Sequence, residues 1–214
     1  MDFPPELMNP ALLWAANLLF AVIVLLALWK APLARLRENE FSHVYFAACV
    51  ALLLLWNTRA GVLPALNFHL LGVTAVTLMF GWAFAVLAVL AVATGSVLSG
   101  IEVPVSMGLS ALVMGGIPIL VTSLLLRLAQ RRLPHNFFIY IYINGFLAAG
   151  CSILLACLAG ALLLLANDAQ SAAWLSYQYY PYFPMVFFAE ALLNGMVMTA
   201  MVAMRPGWVC SFDD

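Results

Sequence analysis

The sequence predicts an all-α polytopic membrane protein with about seven transmembrane helices, one of them short, and the N-terminus outside. Three observations lead there. Hydrophobic residues make up 66% of the 214 and charged residues 8%, against about 45–50% and about 25% in soluble domains; mean hydropathy is +1.08. The apolar residues fall in long runs such as Ala11–Leu28, without the polar alternation over about 10 residues that a transmembrane barrel strand requires. The basic residues cluster between particular runs, which orients the chain. Such a chain cannot cover itself with water-compatible side chains. A soluble enzyme, a nucleic-acid binder and a secreted disulfide scaffold are therefore excluded. With eight basic and nine acidic residues and a net charge of -1, there is no electrostatic footprint for nucleic acid.

Taken in order, the apolar runs are Pro10–Leu28, Phe41–Trp56, a long stretch from His69 to about Leu98, Val103–Leu128, Phe137–Ala166 and Phe183–Met204. Lys30, Arg35 and Arg37 follow the first run, so that loop is expected in the cytoplasm. Six spans would leave Arg127, Arg131 and Arg132 outside. Splitting the third stretch at Gly81-Trp82 returns them, with Arg205, to the cytoplasm and leaves Arg59 outside. A helix over His69–Gly81 reaches only roughly 20 Å, too short for a hydrocarbon core of about 30 Å. It must lie among other helices or beside a cavity. The outer side then carries Met1, Asp2, Glu6, the loop Thr58–Phe68, His69, the Gly100–Glu102 turn, Asp168 and an aromatic belt of Trp174, Tyr177, Tyr179, Tyr180 and Tyr182. Residues 1–214 read as a single transmembrane domain. No Lys or Arg precedes the first run, so no cleavable signal peptide is expected. Cys49, Cys151, Cys157 and Cys210 form no C-x-x-C pair and read as packing residues.

Few residues in these runs carry chemistry. His69 opens the short helix; an imidazole there either hydrogen-bonds a loop carbonyl or ligates a transition metal. Glu190 lies within the last run. A carboxylate at that depth costs several kcal/mol if lipid-facing; it is either functional or ties helices together, and is expected to be shielded and bonded to a polar group on a neighbouring helix. His43 and His135 fall on the opposite side from His69. Glu102 reads as a helix N-terminal acid, and the scattered methionines read as gap-fillers rather than ligands. Neither a P-loop nor a nucleophile elbow occurs, and no acid–base pair converges, so the chain is not expected to be an enzyme.

With these residues in place, the chain resembles the CbiM/NikM family, the membrane substrate-binding subunits of energy-coupling-factor cobalt and nickel importers. The opening M-D-F-P-P-E-L-M-N-P is similar to the family's M-H-I-P-D-G-F-L-S-P. His69-Leu70-Leu71-Gly72-Val73-Thr74 with Gly81 resembles H-L-L-G-G-T and its following glycine. Gly108 to Met114 resembles G-x-N-x-x-N-M, with Ser110 and Val113 in place of the asparagines. Met185–Thr199 matches H-x-x-x-G-x-x-E-A-x-I-T through Glu190-Ala191 and a nearby threonine.

The resemblance implies seven helices with the N-terminus out, and a pocket where the N-terminal segment tucks among them. Its implied metal ligands are the Met1 amine, Asp2 and His69, with Asn57, Asn67, Thr74, Ser110 and Glu190 as supporting polar groups. Asp2 stands where the family has an imidazole, and a carboxylate suits harder cations. The implied substrate is a divalent transition metal, cobalt or nickel. The implied partners are separate ATPase subunits, a coupling membrane subunit and the lipid bilayer of a bacterial or archaeal inner membrane, making the chain an ABC-type permease component. The competing expectation is a non-transporting membrane scaffold that kept the fold and lost the site.

Overall fold

The computed structural model describes residues 3–58, 60–63 and 66–212. Helix α1 (Pro10–Lys30) starts where Asn9 Oδ1 accepts from Ala11 N at 2.9 Å and Pro10 occupies the first turn, a position that needs no N–H. Helix α2 spans Asn39–Asn57. The segment expected as a plain loop after it contains an antiparallel hairpin, β1 (Ala60–Leu63) with β2 (Leu66–Phe68), pairing Ala60 with Phe68 and Gly61 with Asn67. Helices α3 (Val73–Phe80) and α4 (Trp82–Leu98) are separated by Gly81 at φ 83° and ψ 165°, so the expected break at Gly81-Trp82 is present. Helix α5 (Pro104–Arg132) and helix α6 (Phe137–Ala166) follow. The short α7 (Ala172–Gln178) leads through a tight turn into α8 (Phe183–Met204). Among the described residues five helical segments are long and apolar enough to cross a membrane, namely α1, α2, α5, α6 and Ala172–Met204, and α4 is a shorter apolar helix.

The short helix does not begin at His69. Gly72 adopts φ 65°, a left-handed conformation that interrupts helical hydrogen bonding and favours glycine. The helix therefore starts at Val73, and His69 sits in the four-residue loop ahead of it. A Cβ at Gly72 would also lie 3.0 Å from both Leu52 Cδ1 and Leu55 Cδ1.

Contacts define the two ends of the bundle. At one end Asn9 N donates to Asn167 Oδ1 (2.8 Å), Ser106 Oγ donates to Phe3 O (2.6 Å), and Ser96 Oγ meets Asn57 Oδ1 (3.4 Å). At the other end Trp208 Nε1 donates to Glu40 Oε1 (2.6 Å), and Tyr140 pairs with Ser211 (2.6 Å). Lys30, Arg35, Arg37, Arg127, Arg131, Arg132 and Arg205 all lie at or near this second end, termed here the basic end. Arg59 lies outside the described residues.

The eight residues of α3 are all buried, and α4, α5, α6 and α8 pack around them. Small residues let α6 and α8 approach: Gly145 lies against the Gly195 backbone, where a Cβ would sit 3.5 Å from Gly195 Cα, the close contact that membrane helices favour. The aromatic belt is only partly a belt. Tyr177 is 81% exposed, but Tyr179 is fully buried and its hydroxyl donates to Cys157 O at 3.3 Å.

Helix α1 meets α5 more closely still. Asn17 Nδ2 donates to Val105 O (2.7 Å), and Asn17 Oδ1 accepts from Gly108 N (2.9 Å). A Cβ at Gly108 would fall 2.6 Å from Asn17 Cα and 2.8 Å from Asn17 N. Backbone cannot yield as a side chain does. Gly108→Ala is therefore expected to push α5 off α1 and cost about 1–3 kcal/mol, read as a lowered midpoint of thermal unfolding in detergent. An unchanged midpoint would mean that the two helices can separate freely.

Candidate metal centre

The loop His69–Gly72 is held from two sides. From α8, Glu190 reaches across with both oxygens: Leu71 N donates to Oε2 and Gly72 N to Oε1, each at 2.7 Å. One turn later, Asn194 Oδ1 accepts from Ala75 N (2.9 Å), while its Nδ2 donates to Glu190 O (2.9 Å) and Oε1 (2.8 Å). From α2, Trp56 Nε1 donates to Leu71 O (3.0 Å). Glu190 and Asn194 are four residues apart and so share one face of α8. Together they satisfy N–H groups that the start of any helix leaves without an intrahelical partner. Glu190 is 1% exposed and Asn194 fully buried.

Glu190 is shielded from lipid, as expected. Its neighbouring partners, however, are backbone amides of the His69 loop, and its side-chain partner, Asn194, is on its own helix. The hydrogen-bond capacity of a buried carboxylate is thus spent on fixing a loop.

This grip positions His69. The ring is 9% exposed and packs against Trp56 at 5.6 Å between centroids. Nδ1 lies 3.3 Å from Leu70 O, and Nε2 lies 3.1 Å from Met114 Sδ. Met114 comes from α5, where residues Leu112–Gly116 form a wide turn. Pro118 explains it. A proline has no N–H for the carbonyl four residues back and its ring clashes with that carbonyl; here that residue is Met114. The wide turn absorbs the clash, as such bulges do at functional sites, and Met114 is the side chain it brings to His69. Reading the methionines as gap-fillers missed this contact. The proline four residues after Met114 was the available signal.

The remaining expected residues divide. Thr74 is 1% exposed and pairs with Thr122 on α5 (Oγ1 to Oγ1, 3.0 Å), which approaches Ser152 on α6 at 3.5 Å. It belongs to an interhelical hydroxyl chain. Ser110 is buried one turn before Met114. Asn57 ends α2 and meets Ser96. Asn67 lies in β2, opposite Gly61. Met1 and Asp2 lie outside the described residues, but the segment that leads from them enters the bundle: Phe3 is 2% and Met8 4% exposed. Glu102 stands two residues before the turn Pro104–Ser106 that opens α5. Among the described residues, no three His, Cys, Asp or Glu side chains gather in a group that could hold a metal ion.

At its other end α3 is closed by segment 205–212. Ser211 Oγ donates to Leu78 O (2.8 Å), Cys210 N to Met79 O (3.0 Å), and Cys210 Sγ approaches Leu78 O (3.7 Å). These satisfy carbonyls that the end of the helix leaves open.

The fold has matches among known proteins. Residues 2–208 match the family model CbiM, described as "Cobalt uptake substrate-specific transmembrane region". No curated protein sequence matches the chain. Two solved structures share the fold. A truncated transition metal transporter superposes with a TM-score of 0.78 at 15% identity, over 95% of this chain and 99% of its own. A second structure, described as a transition metal transporter, gives 0.76 at 14% identity, over 95% and 93%.

The clamp makes a directional prediction. Glu190→Ala leaves two amides without acceptors, at about 1–3 kcal/mol each, and Leu71 and Gly72 should exchange their amide hydrogens faster than in the parent. Glu190→Gln keeps one acceptor oxygen, so only one of the two amides should lose protection. Unchanged exchange at both positions in Glu190→Ala would show that the loop is held without the carboxylate.

Proposed function

The chain belongs to the CbiM family of cobalt uptake substrate-specific transmembrane regions, and from that premise we propose that it is the substrate-capture subunit of an energy-coupling-factor importer for a divalent transition metal of the cobalt or nickel class. In this reading ATPase subunits and a coupling membrane subunit supply the power. The observation that carries the proposal is the setting of His69: a buried imidazole on a loop gripped by Glu190, with the Met114 sulfur 3.1 Å from Nε2. A metal bonded at about 2.0–2.1 Å to nitrogen and about 2.3 Å to sulfur sets those donors about 3.1 Å apart when they subtend a right angle. Imidazole and thioether are borderline and soft donors. The Met1 amine and Asp2 would complete the set, brought in by the buried Phe3 segment.

The proposed orientation puts the His69 end outside and the basic end in the cytoplasm of a bacterial or archaeal inner membrane. Its support is the gathering of Lys30, Arg35, Arg37, Arg127, Arg131, Arg132 and Arg205. A reporter fused after residue 214 should read cytoplasmic, and one within Asn167–Tyr177 external. The reverse pattern would defeat the orientation.

One observation favours a second reading, a non-transporting scaffold of the same fold: Asp2 stands where the resemblance calls for histidine, and Ser110 and Val113 where it calls for asparagines. Calorimetry with Ni(II) and Co(II) separates the two. For a capture subunit, His69→Ala should weaken binding at least about tenfold, Met114→Leu by about as much, and Asp2→His should tighten Ni(II). Absence of metal binding in both the parent and Asp2→His would establish the scaffold.

A further inference from the structure

Away from the His69 loop, the outer surface of the bundle carries a groove of about 480 Å³ bounded by α1, α4 and α5. Its walls are apolar: Leu19 and Ile23 from α1, Trp82 and Val86 from α4, and Leu120 and Leu124 from α5. Leu19, Leu120 and Leu124 are each more than half exposed, so the groove opens onto the surface that faces lipid. Its floor is the wide turn Leu112–Gly116 that precedes Pro118. Gly116 lies there in ordinary helical conformation, φ -62° and ψ -48°, and a Cβ on it would meet nothing closer than 3.7 Å. The space is left open by the sequence, since that backbone accepts any residue.

One end of the groove is polar. Ser123 and Arg127, four residues apart on α5, both line it and so stack one above the other on the helix face. Arg127 is exposed. No Asp or Glu occurs anywhere in α1, α4 or α5, so the lining helices offer the guanidinium no carboxylate. Trp82, at the Gly81 break, stands at the same end, where indole rings sit at the headgroup level. From Leu112 to Arg127 the helix runs roughly 20 Å, enough for an acyl chain to reach from the interface past the middle of a core of about 30 Å.

We propose that this groove seats an anionic phospholipid, with one acyl chain along Leu19, Ile23, Leu120 and Leu124 over Gly116, and its phosphate held by Arg127 and Ser123. Guanidinium is the side chain best matched to phosphate oxygens. A purely apolar occupant would offer no polar group to Ser123 and Arg127 at the groove's end, whereas a phospholipid headgroup meets both. The site is independent of the metal-capture reading.

Native mass spectrometry of the purified, delipidated chain, given phosphatidylglycerol or phosphatidylcholine, tests it. The parent should retain phosphatidylglycerol about fivefold better. Arg127→Gln should bring it down to the level of phosphatidylcholine, and Gly116→Leu should lose both lipids. Bromine-labelled phosphatidylglycerol chains should quench, in the parent, the indole signal that Trp82→Phe removes. Equal retention of the two lipids by the parent would overturn the proposal. So would a preference that survives Arg127→Gln but disappears in Arg131→Gln. If Gly116→Leu keeps its lipid yet loses association with a co-expressed membrane subunit, the groove is a protein seat and the lipid assignment is wrong.

Discussion

An eight-residue helix inside a membrane is nearly all ends, and that constraint organises this protein. Four N–H and four C=O groups at the termini of any helix lack intrahelical partners, and hydrocarbon offers none. At the start of α3, Glu190 and Asn194 of α8 accept from Leu71, Gly72 and Ala75 N, and at its end Ser211 and Cys210 donate to the Leu78 and Met79 carbonyls. The helix hangs between two anchors supplied from the far end of the sequence. Its reward is a rigid, non-helical loop in the interior, the one place where such backbone is tolerated. His69 sits on that loop.

The second organising device is a proline. Pro118 widens α5 on both of its faces. Toward the centre, the wide turn offers Met114 to His69. Toward lipid, it opens the space over Gly116. The imidazole–thioether pair and the lipid-facing cleft thus share one wide turn.

Much of this was legible in the sequence, and the parts that were not share a cause. The spans follow from apolar runs that no local competition disturbs. The break at Gly81 followed from the placement of charge, because only a split returned Arg127, Arg131 and Arg132 to the side of Lys30. His69 and Glu190 stood out because polar groups at such depth are costly. The start of α3 was misplaced by four residues, since Gly72 reads equally well as a helical or a left-handed glycine until Leu52 and Leu55 are seen against it. The carboxylate's partners were misjudged for a different reason: backbone amides carry no sequence signature. Met114 was passed over because a methionine in an apolar helix is ordinary, and only its spacing to Pro118 marks it. The misses at Gly72, Glu190 and Met114 all concern contacts between residues far apart in the sequence.

The anchoring of α3 also has a meaning in time. The amides of Leu71 and Gly72 wait for a carboxylate 119 and 118 residues further on, and the Leu78 carbonyl for a hydroxyl 133 residues later. A ribosome adding about 5–20 residues per second reaches those partners several seconds after α3 has emerged. Throughout that interval α3 has no satisfied place in hydrocarbon. Until α8 arrives, the loop bearing His69 has the Trp56 hold from α2 but not the Glu190 grip, and α3 gains its anchors at both ends last.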